Sequence, residues 1–286
     1  MRVNLEPLSI PGEKSAKTAT LPRGWEARIN ALERLKPPCA NCPRIAVFDL
    51  DNTLLIHDVG DAVFALLRRR SLEGNLPETA DPMPFSWAQY VHLRESGQPR
   101  EAYCRVVAAM AGLSAATVAA ITREVMNWPT DELEAEGVRV PVPRPDPVML
   151  HLVQRLQQSN FDVFVISASN HITVRTVSSE FLGIRPDHAW GIRSITTTGQ
   201  QGKKVFSVKL ASPVPYGKGK VDLFRLKLKN CIPLVSGGDS ISDIPLLNLT
   251  FRTGVVFWAG EPDLLNQTPS PFRYPANVFY HRSMRS

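Results

Sequence analysis

Ile45, Ala46, Val47 and Phe48 form an apolar run that stops abruptly at Asp49-Leu50-Asp51-Asn52-Thr53. A short, partly β-branched run of this kind reads as a buried strand. Residues two apart in an extended chain point to the same side, so Asp49 and Asp51 emerge together where the strand ends. Carboxylates that close repel each other unless a cation or a shared proton intervenes. The competing reading is a plain turn, because Asp and Asn both suit turns. Three segments further along the chain bear on the choice.

The rest of the sequence alternates strand and helix signals. Val59, Val63, Phe64, Leu66 and Leu67 recur at helical spacing. Further helices are expected at Trp87–Arg94, Arg100–Ala111 and Ala115–Trp128, the last with Ser114 as its N-cap. No strand is expected between 59 and 140, and the Pro-rich stretch Val140–Pro147 reads as a junction without regular structure. Beyond it come helix Val148–Gln158, strand Asp162–Ile166 and a helix through Val174–Phe181. A hairpin follows over 192–210 around Gly199-Gln-Gln-Gly202. Helix Lys220–Leu228, strand Ile232–Ser236, helix Ile241–Leu249 and strand Gly254–Trp258 complete the pattern. Alternation of this kind implies a parallel sheet with helices on both faces. The expected fold class is α/β: a Rossmann-like, doubly wound parallel sheet with an inserted α-helical cap. The expected division is an N-terminal extension outside the main fold (1–43), a core (44–58 and 145–286) and a helical cap (59–144).

In open α/β sheets, ligands bind outside the carboxyl ends of the strands. Those ends here carry Asp49, Asp51 and Thr53, then Ser167-Ala-Ser169-Asn170, then Gly237-Gly238-Asp239-Ser240 with Asp243 one turn on. Lys220 opens the intervening helix. This set suits phosphoryl transfer. A carboxylate, Asp49, can attack phosphorus and form an aspartyl-phosphate. Its approach to a phosphate dianion needs Mg²⁺, for which Asp49, Asp239 and a backbone carbonyl supply hard oxygens. Asp51 sits where a leaving oxygen needs a proton and water must lose one. Ser167 and Lys220 would hold the phosphoryl oxygens. Lys218, two residues earlier, is the alternative lysine. Ser169 is expected to cap the helix that follows it.

Phe48-Asp49-Leu50-Asp51-Asn52-Thr53, Val165-Ile166-Ser167, Gly219-Lys220-Val221 and Gly238-Asp239-Ser240-Ile-Ser-Asp243 resemble, in order, the four motifs of the haloacid dehalogenase-like phosphatases. The helical insertion resembles that of the phosphoserine phosphatase-like branch. The resemblance implies Asp49 as nucleophile, Asp51 as general acid/base, and Ser167 and Lys220 as phosphate ligands. Lys220 is preferred to Lys218 because Lys220-Val-Asp-Leu-Phe resembles the family pattern of a lysine at the start of an amphipathic helix. It further implies Mg²⁺ held by Asp49, the Asp51 carbonyl and Asp239, with Asp243 supporting the metal's water shell or orienting Lys220. The implied activity is Mg²⁺-dependent hydrolysis of a small phosphorylated metabolite. A phosphotransferase or phosphomutase would use the same intermediate. A catalytically silent binding protein on the same fold would show a lost nucleophile, acid or metal ligand, and none is lost. Asp58, nine residues after Asp49, either faces a substrate amine or polyol or caps the helix at Val59. His92, Arg94 and Arg100 either contact a substrate carboxylate or form a solvated cap face.

The chain has 286 residues with ordinary globular composition, 43% hydrophobic and 21% charged. Its net charge of +6 could favour anionic substrates, but no basic stripe is interleaved with aromatics, so nucleic acid is not an expected partner. No apolar run reaches the roughly 18 residues of a membrane span. The N-terminus lacks the apolar core of a secretory signal, so a soluble, cytoplasmic protein is expected. Cys39-Ala-Asn-Cys42 lacks the second pair a zinc site needs, and Cys104 and Cys231 read as small core residues.

Overall fold

The computed structural model describes residues 25–37, 39, 42–76, 84–199, 202–266 and 278–280. The chain opens with α1 (Trp25–Leu32), β1 (Arg44–Phe48) and β2 (Leu55–Ile56). The helices α2 (Val59–Leu72), α3 (Trp87–Glu95), α4 (Pro99–Ala109) and α5 (Ala115–Met126) follow, then β3 (Glu132–Ala135), β4 (Val138–Pro141) and β5 (Arg144–Pro145). The remainder is α6 (Pro147–Gln158), β6 (Phe161–Asn170), α7 (His171–Glu180), β7 (Ala189–Ile192), β8 (Ser194–Thr198), β9 (Lys204–Leu210), α8 (Lys218–Leu228), β10 (Val235–Gly238), α9 (Ile244–Leu247), β11 (Val255–Trp258), α10 (Pro262–Asn266) and β12 (Val278–Tyr280).

Six strands form one parallel sheet in the order β12-β11-β10-β1-β6-β7. The alternation of side chains along β1 explains why both faces are covered. Ala46 and Phe48 enter one apolar cluster with Val163, Val165 and Leu152 of α6. Ile45 and Val47 enter another with Phe164, Ile166 and Leu223 and Phe224 of α8. A strand buried on both sides has no polar face, which is why the run 45–48 is uniformly apolar. The fold is therefore the expected doubly wound α/β arrangement.

Several expectations need correction. Residues 132–141 form a hairpin inside the helical region, where no strand was expected. Its turn is Glu136-Gly137, with φ of 52° and 74°. That pair of left-handed residues matches the twist of a two-residue hairpin. The Pro-rich junction is also partly regular, since Arg144 and Pro145 of β5 pair antiparallel with Ile56 and Leu55 of β2. The two chain crossings between sheet and helical region thus lie side by side.

Within the expected N-terminal extension, α1 does not stand outside the fold. Trp25, Ile29 and Leu32 are buried in the main core, and the Trp25 ring lies 5.4 Å from that of Phe257. Residues 1–24 lie outside the described set. So do 77–83 of the expected loop Gly74–Pro84 and 200–201 of the expected hairpin turn. The strand expected at Ile232–Ser236 starts later, at Val235, since Pro233 has no N–H to contribute to the ladder. Strand β6 runs on to Asn170, with an irregular register against β7 between Ile166 and Asn170. Such irregularities re-aim side chains at strand ends. The β8–β9 hairpin reaches the helical region, exchanging hydrogen bonds of 2.9 Å between Phe206 and the Gly112-Leu113 loop. Cys39 and Cys42 form a disulfide, and Cys104 and Cys231 are free and half-buried. Among the described residues, no helix is long and apolar enough to cross a membrane.

Candidate active site

The carboxyl ends of β1, β6 and β10 are adjacent because those strands are neighbours in the sheet. Asp49 continues β1 and donates its N–H to the Gly237 carbonyl at 3.0 Å, which fixes the first acid beside the motif at the end of β10. The Lys220 ammonium lies 2.7 Å from Asp49 Oδ1 and 2.5 Å from Asp243 Oδ1. Lys220 is 1% exposed, whereas Lys218 is exposed to solvent. The lysine that reaches the acids is therefore Lys220.

Gly219 makes this placement possible. A Cβ at that position would lie 1.8 Å from the Val214 carbonyl oxygen, far inside contact distance. Gly219→Ala is expected to force the start of α8 outward and cost roughly 1–3 kcal/mol of stability, as overpacking does. Urea denaturation would measure the loss, and unchanged stability would mean that the turn relaxes freely.

Asp49, Asp239 and Asp243 each offer a carboxylate oxygen, and all three lie within 4.8 Å of one another. Asp243 Oδ2 accepts from the N–H groups of Asp239 (3.1 Å) and Ser240 (3.0 Å) and from the Ser240 hydroxyl (2.9 Å). It thereby ties the loop after β10 to Lys220. Thr53 donates to Asp239 at 3.4 Å. Asp49 and Asp243 contact Lys220, and Asp239 offers a third carboxylate beside them. Burial pushes the Asp49 carboxyl up to about 7, Asp243 and Asp51 add to the shift, and Lys220 opposes it. Burial also works against the Lys220 ammonium, but Asp243 and Asp49 outweigh it and raise its pKa above the usual value. This surplus of hard, negatively charged oxygen fits a divalent cation such as Mg²⁺.

Asp51 is held differently. Its Oδ1 accepts from the Val59 N–H at 2.7 Å, and its Oδ2 accepts from Ser167 (3.0 Å) and Ser169 (2.8 Å). Burial raises its pKa to about 7, the Asp58 charge adds to this, and those three hydrogen bonds oppose it. Ser169 therefore serves Asp51 and not the following helix. The cap of α7 is Asn170, which accepts from the Ile172 N–H at 2.8 Å. Ser167 and Ser169, two apart on β6, present their hydroxyls to the same carboxylate oxygen of Asp51.

Asp58 caps α2, accepting from the Asp61 N–H at 2.9 Å through Oδ1. Burial, with the Asp61 charge next, lifts its pKa to about 7. Arg94 donates to Asp61 at 3.0 Å and to the Tyr90 hydroxyl at 3.1 Å, and its guanidinium lies over the Tyr90 and Tyr103 rings. His92 and Arg100 are exposed on the outside of the helical region. Sequence reasoning missed Asp61, Tyr90 and Tyr103. Asp61 alone left a signal, lying three residues after the capping acid on the same helix face. The small cavity between Tyr90, Tyr103, Gly60 and Ser169 measures about 10 Å³.

The sequence model of the haloacid dehalogenase-like hydrolases matches residues 46–248. The chain belongs to this family. No curated protein matches the sequence at a significant level. Among solved structures, a functionally unknown protein of Anaerococcus prevotii is similar, with a TM-score of 0.60 at 16% identity over 90% of this chain and 91% of that one. A HAD family hydrolase of Salmonella enterica gives 0.51 at 15% identity over 79% and 66%. A phosphoserine phosphatase described as a phospho-aspartyl intermediate analogue gives 0.50 at 16% identity over 80% and 92%. At such identities the likeness is one of fold. As a haloacid dehalogenase-like hydrolase, the chain carries its family match across β1, the helical region, β6, α8 and β10, the elements that bring Asp49, Ser167, Lys220 and Asp239 together.

Proposed function

We propose that the protein is a Mg²⁺-dependent phosphomonoester hydrolase acting on a small phosphorylated metabolite through an aspartyl-phosphate on Asp49. The observation that carries this reading is the buried Asp49–Lys220–Asp243 contact beside Asp239 in a haloacid dehalogenase-like chain. Asp49 attacks phosphorus and the alkoxide leaves, taking a proton from Asp51. Asp51, ionised by that transfer, then accepts a proton from the water that cleaves the acyl phosphate, which returns both residues to their starting state. A pKa near 7 suits both halves of that cycle at neutral pH. Lys220 and Ser167 neutralise and orient the phosphoryl oxygens. Mg²⁺, held by Asp49, Asp239 and the Asp51 carbonyl, would offset the repulsion between nucleophile and phosphate when bound. Asp243 positions Lys220. Residues 59–144 form the cap over this site, with Asp58 and the Arg94–Asp61 pair on its inner side.

Metal binding has a readout apart from turnover. The pKa values of Asp49 and Asp51 rise on folding from 3.8 to about 7. Each thus binds its proton more tightly folded than unfolded. Their contribution to stability is fully present below the unfolded value and is lost as pH rises through about 7. Above that pH Asp49 is ionised, and the carboxylate is the form that would hold Mg²⁺. Added Mg²⁺ is therefore expected to raise Tm by several degrees near about pH 8, and by much less near about pH 5. Equal shifts at both pH values would contradict the assignment.

A further inference from the structure

A second polar cavity, of about 270 Å³, lies at the edge strand of the sheet between α7 and α8. It shares no residue with the acid cluster around Asp49. His171 and Arg175, four residues apart on α7, face it from one side, Arg193 from the end of β7, and Lys227 from α8. Trp190 and Leu223 form its apolar wall. Among the described residues, none of these three cations is ion-paired. The acid at the rim, Asp187, is occupied by both arms of Arg185 at 3.1 and 2.7 Å. The Arg175 Nε is buried without a hydrogen-bond partner. A buried donor left in that state is costly, and its burial here is explained if a ligand supplies the acceptor.

His171 adds a further donor. Its Nδ1 accepts from the Gly191 N–H at 3.2 Å, which places the proton of the neutral ring on Nε2. Burial, then Arg175, Arg193 and Lys227, hold the imidazole down to about 4, so it stays neutral at physiological pH. Gly191 permits this contact, since a Cβ there would lie 2.9 Å from the His171 Cα and 2.4 Å from the Ser169 carbonyl oxygen.

We propose that this cavity is a second, non-catalytic binding site for the phosphate group of a small molecule. Arg175, Arg193 and Lys227 supply the positive charge, the His171 ring a directed N–H, and the Trp190–Leu223 wall covers the ligand's apolar part. Planar guanidinium groups favour phosphate by paired hydrogen bonds. The volume is slightly below the roughly 300–1,000 Å³ of pockets that enclose drug-sized ligands, which points to a compact phosphate ester and not a dinucleotide.

The test is a titration of the full chain with inorganic phosphate at constant ionic strength, followed by ¹⁵N-resolved NMR. The Gly191 amide and the Trp190 indole report the cavity, and the Ser240 amide reports the catalytic centre. The expected result is two separate titrations. Arg193→Gln combined with Lys227→Gln, both exposed side chains whose loss leaves the fold intact, is expected to weaken the cavity titration by roughly tenfold. The Ser240 titration would stay unchanged. Arg175→Gln should weaken the cavity titration in the same way. The proposal is overturned if the cavity resonances stay still while Ser240 saturates. It also fails if they follow the Ser240 midpoint, or if the double variant titrates like the parent.

Discussion

Asp49→Asn is expected to lower hydrolysis of a generic phosphate ester by about a thousandfold or more while the protein stays folded. The amide keeps the shape of the carboxylate but has no charge with which to attack phosphorus. Stability should change little, for a reason visible in the site. Asp49 is 7% exposed, and burial together with Asp243 and Asp51 already lifts its pKa to about 7. A neutral side chain there relieves repulsion about as much as it forfeits attraction to Lys220, which retains Asp243 at 2.5 Å. Turnover on a phosphate ester with unchanged Tm would separate lost chemistry from lost folding. Appreciable residual activity would remove Asp49 from the nucleophile's role.

Lys220→Met should have the opposite profile, with a large structural effect. The ammonium is 1% exposed and bridges two acids that are themselves 7% and 0% exposed. Removing one member of a buried ion group leaves the others uncompensated, which costs about 3–5 kcal/mol. The methionine fills most of the volume, so the loss is chiefly electrostatic. Urea denaturation should show it. Added Mg²⁺ should recover part of it, because the cation replaces the lost positive charge. Hydrolysis should also fall, since the phosphoryl oxygens lose their cation. Undiminished stability without Mg²⁺ would contradict the account of charge balance around Asp49.

The sheet and the positions around Asp49 were readable from sequence for one reason. In a doubly wound sheet the strands are buried on both faces, so each is an apolar run, and the first polar residues after it stand at the sheet's edge. Ile45–Phe48 followed by Asp49, and Val163–Ile166 followed by Ser167, obey that logic. Lys220 was preferred as the residue opening the helix, whereas α8 begins at Lys218 and Lys220 lies in its first turn, and its spacing from Asp49 says nothing of a 2.7 Å contact. What escaped depends on packing between distant segments. Residues 1–43 read as an extension outside the main fold, yet Trp25 of α1 packs against Phe257, more than two hundred residues away. The hairpin at 132–141 was hidden because its alternation is brief and charged, while Glu136 and Gly137 supply the turn. Ser169 was misread because a serine before a helix usually caps it, whereas the irregular end of β6 gives that duty to Asn170. The Arg94–Asp61 pair joins two helices whose relative placement no periodicity specifies.

The most direct test of the central claim is the covalent state of Asp49 during turnover. Acid-quenching the enzyme with a phosphate ester and Mg²⁺, followed by peptide mass analysis, should find one added phosphoryl group on the peptide containing Asp49. That group should be absent from Asp49→Asn. Rapid phosphate release from an enzyme that never carries a phosphoryl group at Asp49, under conditions that preserve acyl phosphates, would contradict the mechanism.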